Sequence, residues 1–188
     1  MNDGSIPVKR HVNPDGREGG WVADTATVAK TAWVGPEAYV YGKAQVLGNA
    51  TLSGNARVYG NAVVSGSAII YDWAHIYDNA HISGSARIGK HTQISGGAKI
   101  YGDALIYGTI QIYGNAEVSG DSEICGYVRV DGNAQIYNDA LVRGNSIVSD
   151  NAQIGGNAWV LGDSIIGGNA SLRSGTHRNL VAFGKDDA

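Results

Sequence analysis

Several things are scarce in this chain of 188 residues. There is one cysteine, Cys125, so no disulfide framework is available. There are three prolines, one methionine and one phenylalanine, Phe183. Charged residues make up 16% and the net charge is −3, so no bulk attraction to nucleic acid or to an anionic membrane is expected. No apolar run is long enough for a membrane span, and nothing has the layout of a signal peptide. A cytoplasmic protein is the expectation.

What the chain has in quantity is glycine, 28 residues, spent at fixed phase. Val58-Tyr59-Gly60-Asn61-Ala62-Val63 is a typical block of six, and Ile112-Tyr113-Gly114-Asn115-Ala116-Glu117 is another. Every sixth residue from Val22 to Leu172 is Val, Ile or Leu, with no insertion or deletion. Two residues before each aliphatic there is usually Ala, as at Ala26, Ala32, Ala38, Ala44 and Ala50. A period this short and strict takes precedence over local propensity.

One block suits a strand and a turn. Ala62 and Val64 lie two apart and share one side of a strand, while Val63 faces the other way. Gly60-Asn61 then turns the chain, because Gly and Asn tolerate left-handed backbone. Three such strands, one from each of three blocks, make one coil of a triangular prism with aliphatics on its axis. About eight coils stacked ~4.8 Å apart give a rod roughly 40 Å long.

These blocks resemble the hexapeptide-repeat, left-handed β-helix family, over about four-fifths of the chain. The left hand is implied by the resemblance, since the ordinary crossover rule favours the other hand. Gly19-Gly20-Trp21-Val22, leading into the repeats, is similar to uncharacterised bacterial and phage proteins named as acyltransferases. The reading is an all-β, left-handed parallel β-helix, a triangular solenoid, over 21–172. Residues 1–20 form a leader, or a lid that uses Ile6 and Val8. Residues 173–188 form a C-terminal cap built on Leu180, Val181 and Phe183, with a frayed end.

Residues one coil apart stack, so each wall reads as a column. The second wall, from Thr27 through Lys99 and Glu117 to Ser171, is polar and reads as a solvated face. The third wall carries Trp33, Ile69, Leu105, Leu141 and Trp159, with Arg87 and Glu123 between them. So much apolar surface in one stripe points to a homo-oligomer interface. The resemblance implies a trimer. The first wall carries His75, Gln93, Gln111 and Arg129, beside a ladder of Tyr41, Tyr59, Tyr77 and Tyr113 that Ser95 interrupts. The ladder reads mainly as rings packing on one another.

One corner departs from the rule. Between the third and first walls, Trp73, His91, Thr109 and Tyr127 take the place of small turn residues. Ile110 and Val128 replace Ala on the same coils. If these corner positions require positive φ, Trp73 and Thr109 are poor choices. Local rules broken together mark a functional place or an interface. The candidate ligand site is therefore Trp73, His75, His91, Gln93, Thr109, Gln111, Tyr127 and Arg129, suited to a small polar molecule or a glycan.

Three functional readings remain. The first is a non-catalytic scaffold or binding module with no cofactor, and the sequence favours it. The second is implied by the resemblance: acyl transfer from acetyl-CoA in a cleft between subunits, with His75 or His91 as general base. The unbroken period leaves no loop to close such a cleft. The third, ice binding, fails because Thr27, Thr51 and Thr109 form no ladder. No metal site is expected, since His75, His81 and His91 point from different walls or corners.

Overall fold

The computed structural model describes residues 7–184. No described residue is helical. The chain is a parallel β-helix of three sheets, as the period requires. Among the described residues, one sheet has eleven strands and the other two have nine each. Successive strands of a sheet come from successive coils, in unbroken register: His75 pairs with Gln93, Gln93 with Gln111, and Gln111 with Arg129. This geometry is consistent with the left-handed coil.

The axis is filled as the pattern dictates. Val34, Leu52, Ile70, Ile88, Ile106 and Ile124 have no exposed surface, and neither do Ala50, Ala68 and Ala86. Most strands are two residues long and end in a turn at which the Ala N–H donates to the carbonyl three residues earlier. Ala62 donates to Tyr59 in this way at 3.3 Å, and Ala74 to Tyr71 at 3.3 Å.

Pairing continues beyond Leu172. Thr176–Arg178 pairs with Trp159–Leu161, and Val181–Gly184 pairs with Ile165–Gly168. Leu180 and Ala182 pack against the core. Val181 and Phe183, expected among the covering residues, instead face outward.

At the other end, Val8–Val12 runs antiparallel to Glu18–Ala23 and occupies the edge of the first sheet. Val8 is exposed, contrary to its expected role as a lid, and Ile6 lies outside the described residues. Polar side chains cover this end instead. Buried Asn13 accepts from Val34 N at 2.8 Å and donates to Val34 O at 3.2 Å. Its amide thus does for Val34 what a preceding strand would do, satisfying both backbone groups of an edge residue. Arg10 stacks 4.2 Å over Trp21 and donates to the carbonyls of Gly19 and Pro36.

Candidate functional site

The unusual corner differs in backbone as well as in sequence. On the coils of Arg87–Lys90, Leu105–Gly108, Glu123–Gly126 and Leu141–Gly144, the third-wall strand is four residues long and runs into the corner. Positive φ falls there on Lys90 (58°), Gly108 (137°), Gly126 (101°) and Gly144 (97°), and one coil earlier, after the two-residue strand Ile69–Ile70, on Asp72 (57°). Asp72, Lys90, Gly108 and Gly126 each precede the bulky residue. Trp73, His91, Thr109 and Tyr127 are therefore not the strained positions, and the expectation of strain at Trp73 and Thr109 is corrected. The burden of conformation falls one residue earlier, on glycine or on Asp72 and Lys90. The bulky side chains are left free to project.

The residue in the Ala position explains the longer strands. Thr92 Oγ1 donates to Gly89 O at 2.7 Å, and Ser164 Oγ to Leu161 O at 2.8 Å. Ser146 Oγ donates to Arg143 O at 3.1 Å. In each case a hydroxyl reaches the carbonyl three residues back, the role an Ala N–H fills at an ordinary turn. Ile110 and Val128 occupy the same position and are buried.

Outward from this corner, a cleft of about 350 Å³ brings together Thr109, Gln111, Tyr127 and Arg129, with Asn145 and Ser146 beside them. Tyr127 is 68% exposed and Trp73 is 52% exposed. Trp73, His75 and His91 do not line this cleft. Gln93 belongs to a different one, with Gln111, Tyr77 and Tyr113. The eight candidate residues thus divide among neighbouring surfaces. They stack as adjacent rungs of one wall and one corner, but they do not converge on one point.

His75 packs edge-on against Tyr59, with ring centroids 6.2 Å apart. Burial first, and then the Arg57 cation, hold its imidazole below the ordinary 6.5. It is neutral at neutral pH, but a nearby guanidinium weakens it as a base. Among the described residues, no group of three or more His, Cys, Asp or Glu gathers as a metal site would.

The sequence reading missed a polar cluster on the same corner. Tyr107, Glu123, Cys125, Tyr127 and Arg143 line a cleft of about 470 Å³. Tyr107 donates to Glu123 Oε1 at 2.7 Å, and this bond raises its phenol well above the usual range. Burial pushes the Cys125 thiol up, so it stays protonated and is a poor nucleophile. The signal was the column, one residue per coil, through Tyr107, Cys125 and Arg143.

The expected interface stripe is less open than the column suggests. Ile69, Leu105, Leu141 and Trp33 are half-buried within the chain itself, and only Trp159 is widely exposed, at 48%.

The family profile of the YdcK beta-solenoid repeat matches residues 56–72, 134–150 and 152–168. No curated protein matches the chain. Among solved structures, the UDP-N-acetylglucosamine acyltransferase of Francisella novicida is similar over 77% of this chain and 60% of its own length, at 16% identity and a TM-score of 0.35. This chain therefore spans about three-fifths of that enzyme. The chain is a parallel β-solenoid with a six-residue period, and in the three matched segments it is similar to the YdcK beta-solenoid repeat.

Proposed function

We propose that the protein is a rigid, non-catalytic solenoid that binds a polar, carbohydrate-like ligand along the corner between its third and first walls. The observation that carries this reading is the cleft of Thr109, Gln111, Tyr127 and Arg129. It sets an exposed phenol ring beside an amide, a hydroxyl and a guanidinium, all carried by the rungs of a stiff sheet. Aromatic faces beside fixed donors and acceptors suit a ligand with a flat face and a polar rim. Trp73 and His91 extend the strip toward the N-terminal coils. Assembly into a trimer through Trp33, Ile69, Leu105, Leu141 and Trp159 belongs to the same proposal.

Acyl transfer is the second reading, and neutral His75 is the observation in its favour. A general base is usually helped by a partner that stabilises its protonated form. The charge felt by His75 is that of Arg57, which does the opposite.

A glycan and metabolite screen tests the main reading. Trp73→Asn with Tyr127→Asn is expected to abolish binding at the corner while leaving the oligomeric state unchanged. If the double variant instead falls apart into smaller species, the corner is an interface. If acetyl-CoA binds in calorimetry, and His75→Ala or His91→Ala stops acetyl transfer, the enzyme reading replaces this one.

A further inference from the structure

The tyrosine ladder beside the first wall is ordered where it is continuous. Tyr41 stacks on Tyr59 at 4.7 Å and 4°, and Tyr59 on Tyr77 at 5.0 Å and 3°. On the next coil the column holds Ser95, and on the coil after that it resumes with Tyr113. The gap is a cleft of about 420 Å³ lined by Tyr77, Ser95, Tyr113, Gln93, Gln111 and Asp78. Two coil spacings separate the flanking rungs, roughly 9.6 Å. A ring midway between them lies about 4.8 Å from each, within the range that stacked rings prefer. The repeat of the ladder itself is the same.

A second column is interrupted on the same coil. Along the adjacent corner, Asn61 bonds Asn79, Asn115 bonds Asn133, and Asn133 bonds Asn151. Between Asn79 and Asn115 the column holds Gly97. Gly97 has no left-handed φ, and a Cβ there would meet only the tip of Asn115, at 3.0 Å, and Gly114 O, at 3.5 Å. Backbone geometry does not demand glycine at this place. Two neighbouring columns thus carry only Ser95 and Gly97 on one coil, and the space between two aromatic rings is cleared.

Both walls of the gap are fixed. Tyr77 is held by its stack on Tyr59. Tyr113 donates to Asp131 Oδ2 at 3.1 Å, and Arg129 holds the same carboxylate at 3.0 Å. A Tyr–small–Tyr column also occurs at Tyr71, Gly89 and Tyr107, where the Tyr71 ring closes over Gly89, and another stands around the next corner. Tyr101, Ser119 and Tyr137 stand on three successive coils, and they line a cleft of about 350 Å³ with Glu117, Gln135 and Asn138. There the Tyr137 ring lies flat over Gly155, where a Cβ would come within 2.2 Å of it.

We propose that the gap at Ser95 is a binding site for one pyranose ring of a neutral glycan, sandwiched between Tyr77 and Tyr113. The cleft at Ser119, lined by Tyr101 and Tyr137, is a second subsite. The rim chemistry selects the ligand. Each cleft offers side-chain amides, a serine hydroxyl and one carboxylate, which together accept from and donate to sugar hydroxyls. No lysine or arginine lines the Ser95 cleft, so an anionic sugar or a phosphate finds no counter-charge there and meets the carboxylate of Asp78, whereas at the Ser119 cleft Glu117 is paired with Lys99 at 3.0 Å.

Filling the gap tests the idea without removing anything the fold needs. Ser95→Tyr completes the ladder, and Ser119→Tyr does the same in the second cleft. The proteins are put on an array of neutral, sialylated and sulfated glycans, and hits are titrated by calorimetry. Wild type is expected to bind neutral glycans. Ser95→Tyr is expected to keep or raise the melting temperature and to weaken binding at least tenfold, and the double filling is expected to abolish it. Tyr127→Asn reads the corner site separately and is expected to leave this binding unchanged. No neutral hit with wild type, an unchanged affinity in the double filling, or a preference for sulfated or sialylated glycans overturns the proposal. So does adenine binding that Ser95→Tyr blocks, which would assign the gap to a heteroaromatic ring.

Discussion

At the scale of single residues, the axis and the outer face of one strand give the sharpest contrast. Val64 is fully buried and Val63, its neighbour, is half-exposed. Val64→Asp places an unpartnered charge among aliphatics and is expected to cost several kcal/mol. Val63→Asp is expected to change stability by less than about 1 kcal/mol. Equal losses of melting temperature would contradict the register. The hydroxyls in the Ala column give a subtler pair. Ser164 donates to Leu161 O and accepts from Leu180 N, whereas buried Ser122 Oγ has no partner among the described residues. Ser164→Ala is expected to lose about 1–2 kcal/mol, and Ser122→Ala to be neutral or to gain up to about 1 kcal/mol, in denaturant titrations. His75 gives a pH dependence. Its folded-state pKa lies below 6.5, so the unfolded chain binds the proton more readily. The associated stability is complete above about pH 6.5, the unfolded value, and is lost as pH falls from there through the lower folded-state pKa. His75→Gln is expected to flatten the stability profile between about pH 7.5 and 5. An unchanged slope would show that another group titrates there.

At the scale of elements, the strands and turns were legible because each coil repeats the same demand. A two-residue strand needs one inward aliphatic, and the turn needs a small residue in the left-handed region. Those are the most restrictive requirements in the chain, and they recur in phase. Strain at the unusual corner was misplaced by one residue. The column of Asp72 and Lys90 holds Gly54, Gly108, Gly126 and Gly144, and this was the signal that the first of each pair, and not Trp73 or His91, takes positive φ. The backbone places it there. The lengthened strands have a cause that can be read afterwards. Where Thr, Ser, Ile or Val takes the Ala position of this corner, the tight turn gives way to extended pairing across Gly108, Gly126 and Gly144. The N-terminal cover was missed for a different reason. Hydrophobic lids announce themselves by composition, but Asn13 acts through two hydrogen bonds to Val34, and a lone Asn in a polar stretch carries no such signal. The candidate site was legible as a list of columns. How those columns divide into clefts depends on side-chain direction, which stacking alone does not fix.

At the scale of the whole molecule, the third wall is the test of assembly. Half-buried Leu105 and Leu141 flank Glu123 on consecutive rungs. If the protein assembles as proposed, Leu105→Lys with Leu141→Lys is expected to yield monomers in light scattering, with little loss of secondary structure. A wild-type monomer at micromolar concentration would end the trimer proposal. The unbroken period has a further consequence, which concerns inheritance more than stability. The chain works as a vernier: position along the sequence fixes both height on the rod and compass bearing around it. Removing three consecutive blocks subtracts one storey and leaves every later side chain on its original bearing. Removing a single block keeps the axis filled but swings everything downstream by a third of a revolution, so that the polar face lands where the apolar one stood. Two deletions that are equally tolerable to the core are thus opposite in their effect on what the surface presents. Gain or loss of whole coils is the one change of length that this architecture absorbs without rewriting its exterior.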